Sequence, residues 1–163
     1  MKKLELKIAF TEFDNENELS TPELELLQKA RKACDLAYAP YSDFHVGAAL
    51  LLENGVIVTG NNQENAAFPS GLCAERVAIY YAGAQYPNTA VKTIAITCKS
   101  KTFHVGEPLS PCGGCRQAMS EYEIRQKTNI RVILMGETGK IRVVESIADL
   151  LPFMFKAEEL KKA

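Results

Sequence analysis

The sequence predicts a layered α/β fold built on a mixed sheet of about five strands. Three observations predict it. Short apolar runs with strand character alternate along the chain with longer stretches of helical periodicity. Two of those runs, 44–52 and 56–59, flank the turn signal Glu53-Asn54-Gly55 and read as a hairpin. The 163 residues suit one domain, and 47% of them are apolar, enough for a sizeable core.

Residues 1–20 read as an N-terminal extension to a single domain over 21–163. Leu4, Leu6, Ile8 and Phe10 alternate as on one face of a strand, and the acidic run 12–18 reads as a solvated loop. Thr21 is placed to cap a helix with Pro22 at its first position. Leu24, Leu27, Ala30, Cys34 and Ala37 then mark one helical face as far as Tyr38, and Pro40 stops it. After the hairpin, 61–72 is a loop rich in Asn, Pro, Ser and Gly. A helix is expected over 73–85 and a buried strand over 91–98. Ser110-Pro111 reads as a second cap pair, opening a helix over 112–126. Strands follow at 130–135 and 141–144, joined by a turn at 136–139, then short helices at 146–151 and 156–161.

The charge balance is nearly neutral, −1 from 19 basic and 20 acidic residues. That leaves no basic footprint for nucleic acid and no polybasic patch for a membrane, so the expected partner is a small molecule or another protein chain. No apolar run approaches membrane-spanning length, and no secretory h-region follows Lys2 and Lys3. Five cysteines, an odd number with two of them in a C-x-x-C, point to a reducing cytoplasm rather than a disulfide framework.

The chemistry concentrates in Cys73-Ala74-Glu75 and Pro111-Cys112-Gly113-Gly114-Cys115. Zinc takes about four ligands, and a catalytic site leaves one of them to water. Cys73, Cys112 and Cys115 supply three thiolates, each near an expected helix start where partial positive charge favours ionised sulfur. Cys112 and Cys115 are three apart and can face one point from a first turn. Glu75 is two residues after Cys73, so the pair shares a site only if Cys73 lies at the helix end. There Glu75 can move protons beside the metal, as in zinc-dependent base deaminases. A cation is needed beside three thiolates; Arg76 and Arg116 are adjacent, and Arg76, directly after Glu75, is favoured. Core thiols, a redox dithiol at Cys112–Cys115 and a structural zinc completed by His45 or His104 are the plainer alternatives. Cys34 and Cys98 read as core thiols, and His45 and His104 as structural or surface residues.

Taken together, these residues resemble the cytidine deaminases, specifically the small homotetrameric class. The resemblance runs from about Thr21 to Leu160. It is carried by C-A-E-R and S-P-C-G-G-C-R-Q, by Ala39-Pro40-Tyr41-Ser42, by Phe44-His45-Val46-Gly47-Ala48-Ala49, by Asn62-Gln63-Glu64-Asn65-Ala66-Ala67, and by Leu150-Leu151-Pro152 with Phe155. It implies a three-layer α/β/α domain and zinc-dependent hydrolytic deamination of cytidine and 2′-deoxycytidine, assembled as a cytoplasmic homotetramer with sites at subunit borders. It also implies roles. Cys73, Cys112 and Cys115 match the Zn²⁺ ligands, Glu75 the proton shuttle and Arg76 the charge-moderating arginine. Asn62 and Glu64 match the pair on the ribose 3′-hydroxyl, Phe44 matches an aromatic packing on the base, and Ala74 matches a substrate-binding position. Phe155 matches a phenylalanine that reaches the neighbouring subunit's site. Two features depart from the pattern: His45 stands where the family usually has proline, and residues 1–20 precede the usual start. The competing readings are a blasticidin-S-type deaminase, a non-catalytic structural zinc module, and an enzyme editing bases in nucleic acid, which the neutral charge disfavours.

Overall fold

The computed structural model describes residues 1–160. Helix α1, Thr21–Ala33, is opened by a capping box in which the Glu23 carboxylate accepts from both the N–H and the hydroxyl of Ser20. The cap is therefore Ser20 and not Thr21. The helix also stops earlier than its apolar spacing suggests, tightening into a 3₁₀ turn at Cys34–Leu36. Strands β2, Phe44–Leu52, and β3, Ile57–Asn61, form the expected hairpin, with Gly55 at φ 84° in the turn. Helix α2 is Ala74–Gln85, β4 is Val91–Ser100 and α3 is Gly113–Gln126. Strands β5, Arg131–Met135, and β6, Ile141–Val144, precede the single turn of α4, Ile147–Leu150, and a 3₁₀ turn at Ala157–Leu160. The last residue expected in that turn, Lys161, lies outside the described residues.

The sheet has six strands in the order β1-β6-β5-β4-β2-β3, parallel only between β4 and β5. The sixth is β1, Thr11–Phe13, which pairs antiparallel with β6 at one edge. It lies where a solvated loop was expected, while residues 4–10, whose alternation suggested a strand, join no strand of the fold. Alternation along a strand does not make one; a partner does, and β6 meets only residues 11–13.

Successive strand residues point to opposite faces, so each strand feeds two cores. Ala49, Ala95, Ile133 and Val143 pack with Leu26, Leu27 and Ala30 of α1. Leu50, Ile94, Ile96, Val132 and Leu134 pack with Ala78 and Ile79 of α2, Met119 of α3 and Ile147 of α4. This is the three-layer arrangement. Two glycines set the layer spacing. A Cβ at Gly47 would lie 2.0 Å from Ala30 O, and one at Gly60 would lie 2.6 Å from both Ala74 O and Ala78 N. The first turn of α2 thus rests directly on the backbone of β3.

Candidate metal centre and cleft

Both cysteine motifs fall at helix starts. Cys73 caps α2 with extended backbone (φ −71°, ψ 154°), and Cys112 caps α3 in the same way (φ −66°, ψ 165°). The condition that Cys73 sit at the helix end, with Glu75 in the first turn, is met. The cap of α3 is Cys112 and not Ser110, which lies two residues outside it. Cys115, one turn into α3, is fully buried.

The three Sγ atoms all lie within 4.8 Å of one another. Cys73 and Cys112 are 3.9 Å apart, and Cys112 and Cys115 are 3.5 Å apart. Around a tetrahedral zinc with bonds of about 2.3 Å, ligand sulfurs are separated by about 3.8 Å. The donor set therefore fits zinc in chemistry and in spacing. Among the described residues this trio is the metal-capable cluster of His, Cys, Asp and Glu. His45 instead meets Asp43, and His104 meets Glu137 and Thr138. Cys34 and Cys98 are buried thiols pushed up by burial to about 11 and about 12.

The electrostatics favour thiolate at Cys73, the start of α2. The Cys73 thiol is pulled down to about 5, first by the neighbouring Cys115 thiol and, against burial, by Arg76. Cys115 is pushed the other way by the Cys73 thiolate and by burial. Arg76 Nη2 is 3.7 Å from Cys73 Sγ, and its buried Nε has no partner among the described residues. Arg116 is committed elsewhere: it donates to Pro111 O and Leu150 O, both at 2.8 Å. Of the two candidate arginines, Arg76 is the one beside the sulfurs. Glu75 is 4% exposed, and burial, followed by the Cys73 thiolate, pushes its carboxyl up.

A cleft of about 470 Å³ opens from Cys73 and Arg76 to the loop after β3, lined also by Asn62, Glu64, Tyr41 and Phe68. Asn62 Oδ1 accepts from Val46 N–H (2.7 Å) and its Nδ2 donates to Phe44 O (2.9 Å). Glu64 accepts from Tyr41 N–H (2.8 Å) and from the Ser42 hydroxyl, which holds its carboxyl below the usual range. Together they fix the 41–44 turn, in which Asp43 takes a left-handed conformation (φ 52°). Three of the expected residues do not line this cleft. Phe44 stacks on Phe103 with centroids 5.7 Å apart, and Ala74 is buried. Phe155 is 65% exposed while Gln117 pins its backbone N–H and C=O. Sequence reasoning missed Ser42, Gln117 and Phe68; the first two stood inside quoted motifs, and only their hydrogen bonds give them a place.

Residues 20–130 match the family described as the cytidine and deoxycytidylate deaminase zinc-binding region. A cytidine deaminase of Halalkalibacterium halodurans is 37% identical over 135 residues, which cover 83% of this chain and 95% of the relative. One from Sporosarcina psychrophila is 38% identical over 138 residues, covering 85% of this chain and 94% of the relative. The crystal structure of cytidine deaminase from Burkholderia pseudomallei superposes with a TM-score of 0.70 at 38% identity, covering 84% of this chain and all of that one. Sequence motifs, metal geometry and fold lead to one placement: the chain belongs to the zinc-binding cytidine and deoxycytidylate deaminase family.

Proposed function

We propose that this chain hydrolyses cytidine and 2′-deoxycytidine to uridine and 2′-deoxyuridine with release of ammonia, a pyrimidine salvage step. The observation that carries the reading is the cleft itself, which begins at Cys73 of the sulfur trio and ends at a polar lip, Asn62 and Glu64, within the volume range of small-molecule sites. Cys73, Cys112 and Cys115 would hold a zinc ion, whose Lewis acidity would activate water near neutral pH. Glu75 takes a proton from the attacking water and delivers it to the ring nitrogen N3 as the oxygen adds to C4. The same carboxyl then passes the added hydroxyl's proton to the amine, and the C4–N bond breaks to release ammonia. Arg76 balances the thiolate charge at Cys73.

At the sugar, Asn62 and Glu64 each keep hydrogen-bonding capacity beyond the turn they hold, and the pair grips the 3′-hydroxyl as donor and acceptor. Phe44 and Ala74 do not line the cleft of the single chain; in this reading they meet the substrate, Phe44 through its ring at the base and Ala74 through a backbone N–H of the helix start. Gln117 fixes the Phe155 backbone with its ring projecting, which suits an aromatic that completes the site of a neighbouring subunit in a homotetramer. Among the described residues, no helix is long and apolar enough to cross a membrane. Reduced metal-binding cysteines fit a cytoplasmic location. Residues 1–20 are read as an extension and 21–163 as the catalytic domain, the last three residues lying outside the described part.

The test is zinc quantitation with ammonia release on one purified sample. Cytidine, 2′-deoxycytidine, free cytosine, blasticidin S and a single-stranded oligonucleotide serve as substrates. The expected result is about one zinc per chain, turnover of both nucleosides and little of cytosine. Zinc without turnover would leave a structural metal module, and turnover of blasticidin S or the oligonucleotide alone would end the nucleoside reading.

A further inference from the structure

We infer that residues 4–8 form an arm that pairs antiparallel with the same arm of a second copy of this chain, about a two-fold axis through Leu6. Among the described residues, the arm has no strand to meet in its own chain. Strand β1 runs against β6 with Thr11 opposite Val143, so Phe10 and Ala9 come opposite Val144 and Glu145. But β6 ends at Val144, and Ser146 already caps α4. At about 3.3 Å per residue, the eight residues before Ala9 can reach roughly 26 Å past their own sheet.

What projects is apolar on one side. Leu4 is 78% exposed, Leu6 60%, Ile8 46% and Phe10 57%. Continued as a strand, these even positions would share the face of Glu12, whose strand partner is Arg142, and the Arg142 guanidinium lies 5.8 Å from the Phe10 ring centroid. Glu5 and Lys7 take the other face. The arm also lies outside the family match, which begins at residue 20. A long, uncovered, alternating edge is what natural sheets normally avoid.

Charge selects the partner and the register. Self-pairing that keeps both faces aligned can shift only in steps of two residues. With Leu6 opposite Leu6, Leu4 meets Ile8 on the apolar face and Glu5 meets Lys7 on the other, twice over. A shift one way sets Lys7 opposite Lys7, and a shift the other way sets Glu5 opposite Glu5. Only the Leu6-centred pairing matches apolar with apolar and opposite charges together. A two-stranded ribbon alone is marginal, but each strand here continues an edge of a six-stranded sheet.

The experiment uses cysteine pairs on the full chain under mild oxidation, read on a non-reducing gel against the wild-type chain as control for its native cysteines. Leu6→Cys is expected to give a covalent dimer. Leu4→Cys and Ile8→Cys should each give about tenfold less alone, and a dimer when mixed with one another. In the Leu6→Cys background, Glu5→Lys or Lys7→Glu should each lower the yield about tenfold, and the double swap should restore it. No Leu6→Cys dimer, equal yields at all three positions, or indifference to the charge swaps would each overturn the pairing. Ammonia release from cytidine is measured on the same samples, so a failure of the arm is separable from a failure of the deaminase reading.

Discussion

The two faces of the sheet are fed by alternate residues of the same strands, yet they do different work. The α1 face is covered by one capped helix whose contacts are Leu26, Leu27 and Ala30. The opposite face is covered by α2, α3 and α4, and it holds four of the five buried polar or charged residues among those described: Glu75, Ser120, Glu123 and Ser146. Glu123 shows what such a residue costs to keep. Its carboxylate accepts from Ile130 N–H (2.7 Å), the Ser146 hydroxyl (2.6 Å) and Ile147 N–H (2.9 Å), joining the end of α3 to β5 and α4. One face supplies stability through packing, and the other supplies a charged, water-accessible corner at two helix starts.

That contrast can be broken by substitutions chosen one face at a time. The largest effect is expected from Glu75→Gln, which should lower turnover of cytidine roughly 10²- to 10⁴-fold while zinc content and melting temperature stay near wild type. Activity within a factor of a few of wild type would remove Glu75 from the mechanism. On the other face, Leu27→Ala should cost about 2–5 kcal/mol in urea unfolding yet leave turnover per folded molecule and zinc content unchanged. A matching loss of zinc would mean that the faces are not separable.

Two smaller effects sharpen the comparison. Glu64→Gln, at the cleft lip, should reduce kcat/KM for cytidine by about tenfold with little change in stability, and an unchanged value would detach Glu64 from the sugar. Cys34 tests the packed side by pH. Its thiol is raised by burial from 9.0 to about 11, so the native chain holds this proton more tightly than the unfolded chain. That contribution is complete below pH 9.0 and is lost as pH rises through about 11. Stability measured by urea across this window should fall, and Cys34→Ala should flatten the fall.

The metal site was legible because its chemistry imposes local spacing. C-x-E and P-C-x-x-C each fit within one helical turn, and each motif carries its own helix start. The core strands were legible for the same reason of local pattern. What escaped was set by distant partners. Strand β1 exists because β6, some 130 residues later, meets residues 11–13 and not 4–10. The caps moved by one or two residues because Glu23 reaches Ser20, and because Cys112 itself takes the extended cap conformation. The cleft lip depends on Glu64 bonding residues 22 and 23 positions earlier, which no periodicity announces. The arm alternates as a strand should, but its own chain offers it no neighbour.

The bare contact between Gly60 and the opening turn of α2 limits how this enzyme could be re-engineered. Beyond backbone only the Ala78 methyl lies there, too small to trim usefully and with no room to enlarge, so the metal-bearing helix cannot be nudged by repacking. New substrate preferences would have to come from rebuilding the rim around Tyr41, Ser42 and Phe68, with the floor left alone.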